Sequence, residues 1–208
     1  MTPADQLGGV RRTRLWLVFK DGHPTVTIRA NEVYRTLRET LAPWFKIEGF
    51  RRTKGGMLGW YRPHDERYLV IGFYCWPPPG GDPLYGSCFT VEFSISKQPG
   101  IGWAGRNTAR LNELLGTTQF DLFLEQQNSV IARLQKPGRN HSIFKMPATL
   151  IESYLSEFDP LTRDNAYRYS QWLRYQDEED VRHWAEFLLK LMPELVPKFI
   201  ALSEISSE

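Results

Sequence analysis

The stretch Phe89-Thr-Val-Glu-Phe-Ser-Ile95 decides how this chain folds. Its apolar residues alternate with polar ones, and a period of two is typical of a β-strand with one buried face. The stretch lies within a longer strand predicted over Ser87–Ser96. The run before it, Tyr68–Trp76, is apolar on both faces, which predicts a central strand of the sheet.

Two shorter strand candidates precede this pair, at Phe50–Lys54 and Met57–Arg62. Gly55-Gly56 separates the first from the second, and Pro63-His64-Asp65-Glu66 separates the second from Tyr68–Trp76. Both separators have the composition of tight turns. The order strand, turn, strand, turn, strand predicts an antiparallel meander.

A helix is predicted before these strands, because Val33, Leu37 and Leu41 recur at a spacing of four residues. Asn31 is a plausible N-cap and Gly49 supplies the C-terminal stop. Pro43 is expected to kink this helix or to begin a second short turn.

The N-terminal segment has the pattern of a separate hairpin. Leu15–Phe19 and Thr25–Ile28 are strand-like runs, and Asp21-Gly22 between them is a turn signal. We expect this hairpin to be an extension of the fold, with Pro24 placing it at an edge.

The chain after residue 100 is predicted to be mostly helical, because apolar residues recur there at spacings of three and four. The three internal segments are Asn107–Leu115, Phe120–Leu134 and Ala148–Phe158. Asp177 is the predicted N-cap of a last helix, which Pro193 and Pro197 are expected to break or kink.

These patterns together predict one α+β domain over residues 1–208. Its sheet is an antiparallel β-meander of about four to six strands, packed against an N-terminal helix, and its C-terminal half is helical. The predicted parts are an N-terminal hairpin extension (1–29), the helix and antiparallel sheet (30–100), a helical part (101–202) and a polar tail (203–208).

Composition excludes several classes of protein. The 208 residues carry 26 Lys and Arg against 24 Asp and Glu, and 41% of them are hydrophobic. This composition is typical of a globular protein and excludes collagen-like, disulfide-scaffold and wholly disordered chains. The formal charge of +2 is unevenly distributed, because residues 1–64 carry +7, residues 65–150 carry +1 and residues 151–208 carry −6.

The expected compartment is the cytoplasm, with no membrane partner. The segment before Arg11 lacks an apolar signal core, and the longest apolar runs, such as Leu15–Phe19, are too short to cross a bilayer. Cys75 and Cys88 are expected to be buried thiols in this compartment, although their strands look adjacent and a disulfide stays an alternative.

Motifs for chemistry are weak. Gly100–Gly105 spells the G-x-G-x-x-G dinucleotide motif, but it follows an antiparallel strand and contains the bulky Trp103. His23, His64, His141 and His183 are dispersed, without metal-ligand spacing. The acidic run Asp177–Asp180 has a structural explanation at a helix N-terminus. We therefore predict no catalytic residue, no cofactor and no metal ligand.

One surface feature combines basic and aromatic residues. Arginines at positions 11, 12, 14, 35 and 38 precede Arg51, Arg52 and the group Trp60-Tyr61-Arg62. Cations with stacking rings are the components of a single-stranded nucleic-acid site. Strand alternation, however, directs neighbouring side chains to opposite faces, so only some of these cations can converge.

A family resemblance rests on three segments. They are Leu41–Arg52 with its Gly-Phe corner, the short aromatic strand Trp60-Tyr61-Arg62 with Phe89–Ile95, and the closing segments Asp180–Leu189 and Leu195–Phe199. Over residues 30–200 the chain resembles the bacterial domain-of-unknown-function 4304 family. That family supplies no catalytic residues to transfer, and the resemblance implies an immunity-type or defence-linked role.

The leading hypothesis is a non-enzymatic macromolecule-binding protein, of an immunity type or associated with defence, that binds a protein partner. The alternatives are a nucleic-acid-binding protein that uses the basic N-terminal third and an enzyme with an unrecognised site. The oligomeric state is left open. The predicted binding residues are Arg51, Arg52, Trp60, Arg62, His64, Trp76 and Tyr85.

Overall fold

The computed structural model describes residues 28–76, 87–100, 108–166 and 172–205. These residues form five α-helices and a six-stranded antiparallel sheet. The helices are α1 (Ala30–Ile47), α2 (Leu111–Leu114), α3 (Thr117–Ile131), α4 (Ala148–Leu155) and α5 (Glu178–Ile205). The strands are β1 (Arg51–Arg52), β2 (Leu58–His64), β3 (Arg67–Trp76), β4 (Ser87–Ser96), β5 (Thr108–Arg110) and β6 (Leu173–Tyr175). The predicted N-terminal hairpin, apart from Ile28, and the motif after Gly100 lie outside the described residues.

The sheet has the strand order β1-β2-β3-β4-β5, and β6 also pairs with β4. Ile71 in β3 faces Trp60 of β2 on one side and Phe93 of β4 on the other, so β3 is an interior strand as predicted. The short strands β5 and β6 pair with opposite halves of β4. The predicted α+β class with an antiparallel meander is confirmed.

One face of the sheet is packed against α1 and α5. Strand alternation places Leu69, Ile71 and Phe73 of β3 on this face, and all three are fully buried. The helical side of this core includes Val33, Leu37, Leu41 and Phe45 of α1 and Val181, Trp184, Leu188 and Phe199 of α5. The N-terminal and C-terminal helices thus meet over the centre of the sheet.

The ends of α1 differ partly from the prediction. The helix begins at Ala30 with Arg29 as its N-cap, not Asn31, and the Arg29 N–H donates to the Glu32 carboxylate at 2.8 Å. The helix continues through Pro43 to Ile47. Gly49 has φ +77° and ends it as predicted, because a glycine adopts this left-handed conformation without strain.

The C-terminal half contains two strands that the helical pattern did not predict. Residues 108–110 form β5 instead of the first turn of the helix predicted over Asn107–Leu115, and residues 173–175 form β6. Both strands have only three residues, too few for a period of two to be recognised. They extend the sheet along the outer edge of β4.

Helix α5 is longer than predicted. Asp177 caps it, since its Oδ1 accepts the Asp180 N–H at 2.9 Å. Of the predicted break or kink at the two prolines, the break is wrong, because α5 includes both Pro193 and Pro197 and runs to Ile205. Ser203, predicted to begin a polar tail, is buried within the helix. Packing of the apolar face of α5 compensates for the hydrogen bonds that the prolines remove.

Candidate partner-binding surface

The predicted binding residues do not converge on one site. Arg51 and Arg52 lie in the edge strand β1, and Trp60, Arg62 and His64 lie in β2. Trp76 is the last residue of β3, at the end of that strand farthest from the β2–β3 turn. Tyr85 lies outside the described residues. Each residue therefore needs its own description.

Trp60 is a core residue. Only 4% of it is exposed, and its ring stacks on Phe45 with centroids 4.2 Å apart and planes 9° apart. The Phe73 ring packs against it in a T-shaped arrangement, with the two ring centroids 5.5 Å apart. The sheet directs this tryptophan toward α1, so it is unavailable to a partner.

Two of the predicted arginines donate hydrogen bonds to backbone carbonyls of the fold itself. Arg52 donates to the carbonyl oxygens of Gly59 at 2.8 Å and Met57 at 3.2 Å, and its guanidinium carbon lies 5.6 Å from the Trp60 ring centroid. Arg62 lies 4.8 Å from the Phe50 ring centroid and donates to the Glu48 carbonyl at 3.2 Å. These intramolecular contacts reduce the cationic surface offered to a nucleic acid.

His64 stands at the start of the β2–β3 hairpin tip. The turn residues Asp65 and Glu66 are exposed, and Asp65 has a positive φ of 52°. A shallow groove of about 430 Å³ separates this tip from Ser203 and Glu204 near the end of α5. Within the described parts of the chain, no three His, Cys, Asp or Glu side chains are grouped to hold a metal ion.

Trp76 is the predicted aromatic residue that is accessible, and Arg51 and Arg52 are also exposed in the edge strand β1. Its side chain is 48% exposed, and its ring centroid lies 5.8 Å from that of Trp172. Trp172 was missed by the sequence reasoning because it is remote along the chain. Cys88 of β4 pairs with Trp76 of β3 on one side and with Arg174 of β6 on the other, and this register brings the two tryptophans together.

A second accessible apolar feature lies in the segment 142–155, a 3₁₀ turn over Ser142–Lys145 followed by α4. Helix α4 has no buried residue, although it contains two leucines and an isoleucine. Phe144, Met146 and Leu150 are 40%, 50% and 49% exposed. Periodicity predicted the helix but could not distinguish a face that packs on the core from one left exposed.

Hydrogen bonds and ring contacts order this segment. His141 Nδ1 accepts the Ile143 N–H at 3.2 Å, and the His141 ring stacks on Tyr154 with centroids 5.8 Å apart. Tyr154 in turn contacts Phe158 at 5.3 Å. The segment therefore presents its outward apolar side chains from a defined conformation.

A buried ion pair connects α4 to the tryptophan pair. Glu157, in the 3₁₀ turn directly after α4, pairs with the Arg174 guanidinium, which also donates to the Glu157 carbonyl at 3.0 Å. Arg174 lies in β6, two residues from Trp172. We call the accessible apolar side chains at this edge of the sheet the β6-edge surface. Its members are Phe144, Met146, Leu150, Trp76 and Trp172.

The face of the sheet opposite α1 carries a polar cluster. The Tyr74 ring lies across Gly72, where an added Cβ would come within 3.1 Å of the ring, and its hydroxyl donates to Glu92 at 3.5 Å. Burial raises the pKa of Glu92, and nearby Arg110 opposes that change. The glycine at position 72 is thus required for the tyrosine to reach the carboxylate.

The cysteines are free thiols on opposite faces of the sheet. Cys75 pairs in register with Phe89, whereas Cys88 pairs with Trp76, so their side chains point away from each other. Burial raises the pKa of Cys75 to about 12 and that of Cys88 to about 11. Both thiols are therefore protonated near neutral pH, which disfavours nucleophilic chemistry.

The acidic run at the start of α5 is used within the fold. Asp177 and Asp180 pair with Arg133, Glu179 pairs with Arg182, and Glu178 lies 3.6 Å from Arg35 of α1. Among the described residues, the Arg35–Glu178 pair is the ion pair that joins the basic N-terminal third to the acidic C-terminal segment. The two charged ends are therefore only partly matched to each other.

Comparisons of the chain with protein-family models, with curated proteins and with solved structures found no match. In the parts of the chain that the structure describes, none of the helices has the length and apolar character needed to cross a membrane. The geometry of the described residues is therefore the basis for any functional assignment.

Proposed function

We propose that this chain is a binding protein that engages a protein partner through the β6-edge surface. The observation that carries the proposal is that α4, an apolar helix without a buried residue, is connected through the Glu157–Arg174 ion pair to the strand that follows Trp172, the ring partner of the 48% exposed Trp76. Soluble chains usually bury such side chains, and clusters that stay accessible are common at protein interfaces.

The chemistry of the β6-edge surface suits a protein partner. Tryptophan is enriched among the residues that dominate binding energy, and methionine adapts to partners of different shape. The ordered conformation of the segment 142–155 lowers the entropy lost when a partner binds. Exposed Arg139 and Lys145 lie at the margin and would favour a partner with an acidic rim.

The narrower form of this proposal is an immunity-type role. We propose, together with that role, that the chain belongs to the domain-of-unknown-function 4304 family. In that role the partner is a toxin whose active surface the chain covers. Co-expression with the product of a neighbouring toxin gene tests it: the wild-type chain should restore growth, and a Met146→Asp, Leu150→Asp variant should not.

Site-specific photo-crosslinking in the source cells tests the general proposal. A photoreactive phenylalanine analogue is placed at position 150, and at position 47 as the matched control. Ile47 is 81% exposed at the end of α1, away from the β6-edge surface. We expect a protein adduct of one defined mass from position 150 and none from position 47, and Trp76→Ala should reduce its yield at least about fivefold.

Two results would contradict this function. One is an equal set of adducts from positions 150 and 47. The other is salt-dependent binding of a single-stranded oligonucleotide that Arg51→Ala weakens and Leu150→Asp leaves unchanged, which would favour the nucleic-acid alternative.

A further inference from the structure

We draw no further inference here: the strongest candidate, the cationic side-chain cluster of Arg38 in α1 and Arg52 in β1, rests only on the lowered pKa of Arg52, which burial and the nearby charge of Arg38 produce, and nothing in the described part of the chain shows what would bind there.

Discussion

Trp60 and Trp76 lie in neighbouring strands of one sheet and have opposite environments. Trp60 is held between Phe45 and Phe73, whereas Trp76 is 48% exposed beside Trp172. Trp60→Ala should lower the free energy of unfolding by about 3–5 kcal/mol, because it removes a large buried ring. Trp76→Ala should lower it by about 1 kcal/mol or less. Urea denaturation of both variants measures the difference, and equal losses would contradict the assignment of Trp60 to the core.

Glu92 should make stability depend on pH. Burial raises its pKa in the folded state above the ordinary value of 4.5, while Arg110 opposes the rise. The folded state therefore holds the proton more tightly than the unfolded chain, so this group favours folding most at low pH, and stability falls as pH rises through the raised pKa. Glu92→Gln removes this dependence, and its stability relative to the wild type should improve as the pH rises from the ordinary pKa of 4.5 through the raised pKa.

Urea denaturation at several pH values checks this prediction. Glu66→Gln, at the exposed hairpin tip, gives the baseline for removing a carboxylate. A stability difference between Glu92→Gln and the wild type that stays flat, or that declines with pH, would show that burial does not dominate at Glu92.

At the scale of single elements, β6 shows how a strand of three residues is stabilised from outside the sheet. Gln127 of α3 is fully buried; its Oε1 accepts the Arg174 N–H at 3.0 Å, and its Nε2 donates to the Trp172 carbonyl. Trp184 of α5 donates to the Arg174 carbonyl at 2.7 Å. Side chains from two helices thus make hydrogen bonds to backbone groups in and beside β6.

Gln127→Ala should therefore destabilise the fold by about 2–4 kcal/mol, since it leaves a buried N–H and a partly buried carbonyl without partners. The matched control is Gln126→Ala, the same substitution one residue earlier, where the amide nitrogen has no partner to lose. Its effect should be within about 0.5 kcal/mol. Comparable losses from both substitutions, measured by urea denaturation, would contradict the role of Gln127 in holding β6.

The accuracy of prediction differs between elements for a physical reason. Ser87–Ser96 was predicted with the same bounds that the structure has. In a long strand, the alternation of apolar and polar residues shows which face of the sheet each side chain lies on. In α5, Pro193 and Pro197 predicted a break or a kink, and the break does not occur. Proline destabilises a helix only locally. The packing of the long apolar face of α5 on the sheet and α1 contributes more stability than the two prolines remove.

At the scale of the whole molecule, the opposite charges of the two chain ends meet where α1 contacts the start of α5. Arg35 lies 3.6 Å from Glu178, which also accepts a hydrogen bond from Thr36 at 3.1 Å, and both charged side chains are about half exposed. A double-mutant cycle of Arg35→Ala and Glu178→Ala should give a coupling of about 0.2–1 kcal/mol, because water and salt screen exposed pairs.

A coupling above about 2 kcal/mol would instead mean that the opposite charges of the two chain ends serve mainly to stabilise the fold. Repeating the cycle in high salt separates the two cases, since a screened surface pair should lose most of its coupling. With a weak coupling, the unequal charge of the two ends stays available to act on partners.

By itself, the sequence determined the α+β class, the central strand, the helix α1 and the cap of α5, because each depends on local periodicity or on a residue beside its own backbone. Only the tertiary structure decided that Trp60 is core while Trp76 is accessible, that Trp172 joins Trp76, that β6 exists and that α4 has no fully buried residue. These features depend on which segments pack together, and contacts between residues distant along the chain leave no periodic pattern in the sequence.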